Sequence, residues 1–281
     1  MENAIEIRGL VKEYKDFKLD SVDLTLPGGC ILGLIGENGA GKSTMIKCLL
    51  GIIHKNQGSI TILGRDADKE LADIKEDVGV VLDDVGIPDT FKYKQINSVM
   101  KCTFRNWDEA VFEGYMDKFG LPKNKKFKDF SRGMKMKMGI AIALSHNAKL
   151  LVLDEATNGL DPVIRDEVTD IFYEFTRDEE HSILISSHIV SDLEKLCDYI
   201  SFIHKGKVLL NEEKDILLEE YAILSCTEDD LSELDPDSIR GKKSGKYGVQ
   251  ALVKRDGVPA GMNLSPVTIE ELFVFMIKEI A

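Results

Sequence analysis

The chain has 281 residues, 43% of them hydrophobic, enough for one large domain or one domain with a small appendage around a real core. A formal net charge of -13 excludes general binding to a phosphate backbone, which needs Lys and Arg clustered over a broad face, so no nucleic acid is expected as a partner. Five cysteines, odd in number and without a C-x-x-C pair, exclude a disulfide framework or a zinc site and point to a reducing compartment.

The N-terminus, MENAIEIRGLVKEY, is charged throughout and lacks the apolar run of a secretory signal. No stretch approaches the roughly 18 apolar residues of a membrane span, so a protein that works at a membrane would be anchored there by another chain. IEIRGLVKEY and FKLDSVDLTL alternate apolar and polar residues, as half-exposed antiparallel strands do. ILGLI (31–35), VGVVL (78–82), LLVLD (150–154) and SILISS (182–187) are instead continuous apolar runs, each followed by a helical pattern. Fully buried parallel strands read this way, so the expected class is α/β with a mainly parallel central sheet and an antiparallel N-terminal part. From about 84 to 144 the pattern is helical, which predicts an insertion between strands of the sheet.

After ILGLI comes GENGAGKST, residues 36 to 44, followed by the helical MIKCLLGII. This satisfies G-x-x-x-x-G-K-[ST] in a strand-loop-helix context, the pattern of a phosphate loop. Gly36, Glu37, Asn38, Gly39, Ala40 and Gly41 let consecutive N–H groups face phosphate oxygens, and the helix start near Lys42 adds its positive end. Lys42 is predicted to hold the β and γ phosphates, Ser43 to ligate Mg²⁺, and Thr44 to complete the loop. A hydrolysable triphosphate explains the lysine and the metal-binding hydroxyl together, so ATP is the expected substrate.

Further along, FSRGM (130–134) sets Ser131 before a helix that starts at Arg132, with its hydroxyl and the first N–H groups available to an anion. The lysines at 123, 125, 126, 128, 135 and 137 surround it and read mostly as a solvated face, while Met134 and Met138 read as core. LLVLDEA then ends a strand in two carboxylates. Such a pair is commonly a solvated loop, but downstream of a phosphate loop Asp154 is predicted to hold the magnesium shell and Glu155 to deprotonate the attacking water. His188, at the end of SILISSH, is placed to reach the γ-phosphate.

After about Lys207 the composition becomes acidic, through NEEKDILLEEYAILSCTEDDLSELDPDS, followed by a basic GKKSGK turn and a strand-like VQALVKR. A small α+β unit is expected over 212–281, behind an ATP-binding domain over 1–211. Thr268 and Glu271 form a T-x-x-E capping box, and Val267 is positioned to staple Leu272, ahead of an apolar face at Leu272, Phe273, Met276 and Ile280. Every nucleotide motif lies upstream, so this unit is expected to be dispensable for nucleotide chemistry.

Taken in order, these residues resemble the nucleotide-binding subunits of ABC transporters over roughly residues 4 to 210. Tyr14 resembles the family's adenine-stacking aromatic, VVLDD its glutamine loop, FSRGM its LSGGQ signature, LLVLDEATNGLD its DE strand and D-loop, and SSH its switch histidine. The resemblance implies a P-loop NTPase in which two subunits pack head to tail. Ser131, Arg132, Gly133 and Asp161 would then meet ATP held by the other subunit, either a second copy or a different ATPase chain. It also implies Mg²⁺ as cofactor and integral membrane subunits on other chains, with this chain peripheral on the cytoplasmic face. Three departures stand out. Arg132 and Met134 replace a glycine and the glutamine of the signature, and this S-R-G-M form resembles an exporter-like bacterial subgroup. Asp83 replaces the metal-contacting glutamine, and Ala156 the proline after the DE pair. The competing function is a soluble ABC-type ATPase acting in translation or on DNA. Such relatives carry two ATPase units in one chain or long coiled coils between phosphate loop and signature, and neither is present here.

Overall fold

The computed structural model describes residues 2–82, 85–157, 160–245 and 248–280. The chain opens with β1 (Asn3–Glu13) and β2 (Lys18–Pro27), which pair antiparallel, and continues through β3 (Ile31–Ile35) into α1 (Lys42–Leu49). α1 stops four residues short of the expected MIKCLLGII helix because Gly51 and Ile52 N–H groups turn back onto the Cys48 and Lys47 carbonyls and close its end. β4 (Gln57–Ile62), β5 (Arg65–Asp66) and α2 (Ala67–Ile74) follow, and β4 adds to β1 to give an antiparallel sheet of order β2-β1-β4-β5.

β6 (Val78–Val81) leads into three helices, α3 (Tyr93–Thr103), α4 (Glu109–Lys118) and α5 (Arg132–Ala143), before the chain returns to the sheet at β7 (Leu150–Asp154). This helical region has its own aromatic centre: Phe112 is fully buried and lies 5.4 Å from Tyr93 and 5.0 Å from Trp107, ring centre to ring centre. At its base His146 stacks on Phe104 at 4.0 Å and its Nδ1 lies 3.1 Å from the Glu76 carbonyl; burial holds its pKa below the ordinary histidine value. α6 (Pro162–Phe175), β8 (Ser182–Ser187), α7 (Val190–Leu196), β9 (Tyr199–His204) and β10 (Lys207–Glu213) complete the central sheet.

That sheet has the order β10-β9-β3-β8-β7-β6, with parallel neighbours from β9 to β6 and β10 antiparallel at one edge. Alternate residues face opposite cores. On β3, Ile31 and Ile35 join the side covered by α5, α6 and α7, while Leu32 and Leu34 join the side covered by α1 and the antiparallel sheet. Burial on both faces is why these strands read as unbroken apolar runs. All four of them, and the P-loop class, stand as the sequence implies.

The remaining chain forms α8 (Lys214–Glu220), β11 (Tyr221–Cys226), α9 (Glu228–Ser232), β12 (Ile239–Gly245), β13 (Gly248–Lys254), β14 (Leu264–Ser265) and α10 (Ile269–Ile280), with an antiparallel sheet of order β12-β13-β11-β14. One expectation needs correction: GKKSG is not a turn but the second half of β12. β12 is an edge strand, and lysines on an exposed edge hide its strand character while protecting it from pairing with other chains. The capping box at Thr268 forms as expected, its N–H and hydroxyl donating to Glu271 Oε2 at 3.0 Å and its Oγ1 accepting the Glu271 N–H at 3.2 Å. α10 does not stand apart from the ATP-binding part. Phe273 packs 5.0 Å from Phe202 of β9, and Leu272, Phe273 and Phe275 share one core with the helices over the central sheet. The central sheet itself runs to Glu213, two residues beyond the expected division at 211.

Candidate functional site: a phosphate-loop cavity

The loop from Gly36 to Gly41 is pinned from beneath by the β9–β10 hairpin. A side chain on Gly36 would sit 2.6 Å from the Ile203 carbonyl, and the Gly206 N–H donates to the Ala40 carbonyl at 2.9 Å. Gly41 takes φ 119 against Leu19 and Phe17, a conformation and a closeness that exclude a Cβ. α1 therefore starts without a side-chain cap and without an acidic residue in its first turn, leaving its N–H groups for an anion. Lys42 is only 5% exposed; its Nζ donates to the Gly36 carbonyl at 2.7 Å and the Glu37 carbonyl at 3.3 Å, which aims the ammonium across the loop.

Above the loop opens a cavity of about 690 Å³, within the range that ligands of nucleotide size occupy. Glu37, Asn38, Gly39, Gly41, Lys42, Ser43 and Thr44 form its floor, Tyr14 and Phe17 one wall, and Glu155 and His188 the other. Gly36 and Ala40 belong to the loop but lie beneath this lining, on β9. Tyr14 is 49% exposed at the cavity wall, with the Lys12 ammonium over one face of its ring, 5.1 Å from the ring centre. Phe17 was not read from the sequence. The Tyr14 N–H donates to the Phe17 carbonyl at 2.8 Å, and this tight turn brings the second aromatic to the same wall.

β7 delivers the carboxylates. Asp154 is nearly buried, and its Oδ1 accepts the Ser186 hydroxyl at 2.6 Å. Parallel pairing of β7 with β8 sets Asp154 beside Ser186, and the Glu155 N–H then bonds to both the carbonyl and the Oγ of Ser186, each at 3.1 Å. Glu155 has φ 54, a strained conformation for a side chain of this kind. That bend points its carboxylate back over the loop, with Oε1 3.4 Å from Lys42 Nζ and Oε2 2.7 Å from His188 Nδ1. A bond to a carboxylate requires the proton on Nδ1, so Nε2 of a neutral His188 is an acceptor. Ser186 was missed in the sequence, although a serine inside a buried apolar strand is itself a signal of a bonded polar group.

Ser43 and Asp154 offer a hydroxyl and a carboxylate, hard oxygen donors that suit Mg²⁺, and Ser186 occupies only Oδ1 of Asp154. The third predicted metal contact, Asp83, lies outside the described residues. Ala156, in place of proline, is fully buried.

The other predicted contacts lie elsewhere. Ser131 caps α5, its Oγ accepting the Met134 N–H at 3.3 Å, and Asp161 caps α6, accepting from Val163 at 3.1 Å and Ile164 at 3.0 Å. A Cβ on Gly133 would lie 3.5 Å from both Leu160 and Ile164, so the two caps share one side of the molecule. Ser131, Arg132 and Asp161 are exposed, and none of them, nor Gly133, lines the cavity. Of the lysine cluster, Lys125, Lys126 and Lys128 are exposed as expected, and Lys137 is the exception. Lys137 is 8% exposed, bonded to Glu167 at 2.8 Å and 5.4 Å from the centre of the Phe119 ring, because α5 is buried nearly all round from Met136 onward. Met138 is fully buried, as expected.

A glycine loop at a helix start, a buried lysine, and a carboxylate pair at the tip of the adjacent strand define a phosphate-loop ATPase. Comparison with known proteins narrows the class. Residues 19–158 match the family model described as ABC transporter. The chain is 39% identical over 216 residues, 75% of its length and 91% of the relative's, to the lantibiotic transport ATP-binding protein SrtF of Streptococcus pyogenes. A 28% identical alignment covers 100% of the chain and 93% of an uncharacterized ABC transporter ATP-binding protein, YhcH, of Bacillus subtilis. A solved ATP-binding subunit of an ABC transporter superposes with a TM-score of 0.69 at 25% identity, over 75% of this chain and 90% of that one. The chain belongs to the ABC transporter ATP-binding proteins. It is an ATPase subunit that powers transport together with separate membrane subunits, and among its described residues no helix is long and apolar enough to cross a membrane.

Proposed function

We propose that this subunit binds ATP in the cavity over the loop and hydrolyses it only when a second ATPase subunit closes over that cavity, bringing the exposed face of Ser131 and Asp161 against the phosphates. The observation that carries this reading is the separation itself: Lys42, Ser43, Glu155 and His188 line one cavity, with Asp154 next to Glu155 at the end of β7, whereas Ser131, Arg132, Gly133 and Asp161 present cap and loop groups outside it.

Within the cavity, Tyr14 stacks on the adenine, the 36–44 loop wraps the phosphates, and Lys42 exchanges its loop carbonyls for β and γ oxygens. Ser43 and Asp154 hold Mg²⁺, which when bound neutralises phosphate charge. Glu155 accepts the proton of the attacking water, and His188, held by Glu155 through Nδ1, presents Nε2 toward the γ-phosphate. Drawing Lys42 onto phosphate frees Glu155 Oε1 for that water. The dimer works on the cytoplasmic face, attached to its membrane subunits, and the S-R-G-M signature favours an exporter.

Glu155→Gln tests the assignment. The variant retains the shape and one accepting oxygen but cannot take the proton, so ATP should hold a dimer stable on gel filtration while turnover falls by about 10² to 10⁴. Turnover near that of the parent removes Glu155 from the mechanism.

A further inference from the structure

Arg165 stands one turn past Asp161 on α6, and its guanidinium is shared between two elements. Nη2 donates to the Leu160 carbonyl at 3.4 Å, and Nη1 lies 3.3 Å from Asp192 Oδ1 on the first turn of α7. The Asp192 contact is long for a charged pair, which ordinarily closes at about 2.7 to 2.9 Å with two parallel bonds. Among the described residues, neither the buried Asp192 Oδ2 nor the buried Arg165 Nε has a hydrogen-bond partner. A partly buried charge left half satisfied is costly, so a nearby arrangement that satisfies it is favoured. Nη2 has two acceptors to choose between. It can remain on Leu160, or it can release that carbonyl and close a fork with Nη1 on both oxygens of Asp192.

Asp192 is tightly tied to His188. The Ile189 N–H donates to Ser187 Oγ at 2.9 Å and the Asp192 N–H to the Ile189 carbonyl at 3.3 Å, so the turn from the end of β8 into α7, which carries His188, is internally bonded. We propose that Arg165 is a positioning residue that couples the Leu160–Asp161 turn to His188. When a second subunit engages Asp161, Nη2 leaves the Leu160 carbonyl, the fork on Asp192 closes, and α7 holds His188 in a single position at the γ-phosphate. This rests on the proposed roles of Asp161 and His188.

The test is steady-state ATPase of the full chain as Arg165→Lys, Asp192→Asn, their double variant and His188→Ala, with thermal midpoints measured alongside. Lysine keeps the charge and loses the fork. Arg165→Lys should lower kcat at least about tenfold with KM for ATP within about threefold of the parent and an unchanged thermal midpoint, as expected when only closure is affected. Asp192→Asn, nearly isosteric, should give a comparable loss, and the double variant should be no worse than either, because one latch is removed once. Asp192→Asn carries the test alone if the lysine variant does not fold. Parent-like kcat in Arg165→Lys beside an inactive His188→Ala overturns the coupling and leaves the site assignment standing. Parent-like activity of His188→Ala overturns the site assignment and the coupling with it. Losses that multiply in the double variant, or that follow the thermal midpoint or KM, assign the pair a purely structural role and overturn the proposal.

Discussion

Replacing Ser131 removes a hydroxyl with two separable effects. Its oxygen accepts the Met134 N–H at 3.3 Å and caps α5, and its proton remains available to donate to an anion. Loss of the cap to alanine costs about 1 kcal/mol of fold stability, whereas glycine at an N-cap costs only a few tenths. If the anion is ATP on a second subunit, each site also loses a hydrogen bond to a charged group worth about 1.5 to 3 kcal/mol. A symmetric dimer contains two such sites, so closure loses about 3 to 6 kcal/mol, or roughly 10² to 10⁴ in the dimer equilibrium. The assay is sedimentation of the Glu155→Gln chain with saturating Mg²⁺ and ATP, which holds the dimer without turnover, compared with Ser131→Ala and Ser131→Gly in the same background. Both should shift dimerisation by at least about a hundredfold, while ATP affinity of dilute monomer stays unchanged and only alanine lowers the thermal midpoint. A glycine variant that dimerises like its parent would refute the reasoning, since the cap would then be the only role of Ser131. So would an equal loss of ATP affinity in monomer and dimer, which would put Ser131 in its own chain's cavity.

Ser186→Ala deletes the bond to Asp154 and one acceptor of the Glu155 N–H, so the Mg²⁺ concentration for half-maximal turnover should rise roughly tenfold, the equivalent of about 1.4 kcal/mol; an unchanged magnesium titration would deny it that role. Phe273→Ala opens a cavity between α10 and β9, and stability of the whole chain should drop by about 3 kcal/mol in one cooperative urea transition. A separate early transition, with the remainder unaffected, would show that residues beyond Glu213 fold as an independent unit. His146 is kept neutral by burial, so the unfolded chain takes up its proton first. No penalty applies well above the ordinary value near 6.5; stability then falls as pH drops through it and levels off below the depressed folded value. His146→Gln should flatten the urea midpoint between about pH 7.5 and 5, and an unaltered slope would assign the acid sensitivity to other groups.

Features written within a few consecutive residues were legible without the fold. The phosphate loop is nine consecutive residues whose glycines, lysine and serine have one joint use, and the Thr268 capping box spans a single turn. ILGLI, LLVLD and SILISS announced their parallel strands because burial on both faces removes every reason for polar alternation, and the same runs put the phosphate loop, Asp154 and His188 at or just past strand ends. Tertiary structure alone decided pairings between distant segments. Ser186 meets Asp154 across 32 positions because β7 and β8 pair in that register, and Lys137 meets Glu167 across 30 because α5 packs against α6. Ser186, a serine within a buried strand, signals that it is bonded but not to what, and Glu167 carries no local mark. β12 was hidden because an exposed edge strand needs lysines rather than apolar residues, and α10 joined the main core because its apolar face, plain in the sequence, does not say which surface will cover it. Composition and spacing reveal that a group must be buried or paired; only the packed chain selects the partner, since that choice depends on which distant surfaces the strand register brings within bonding distance.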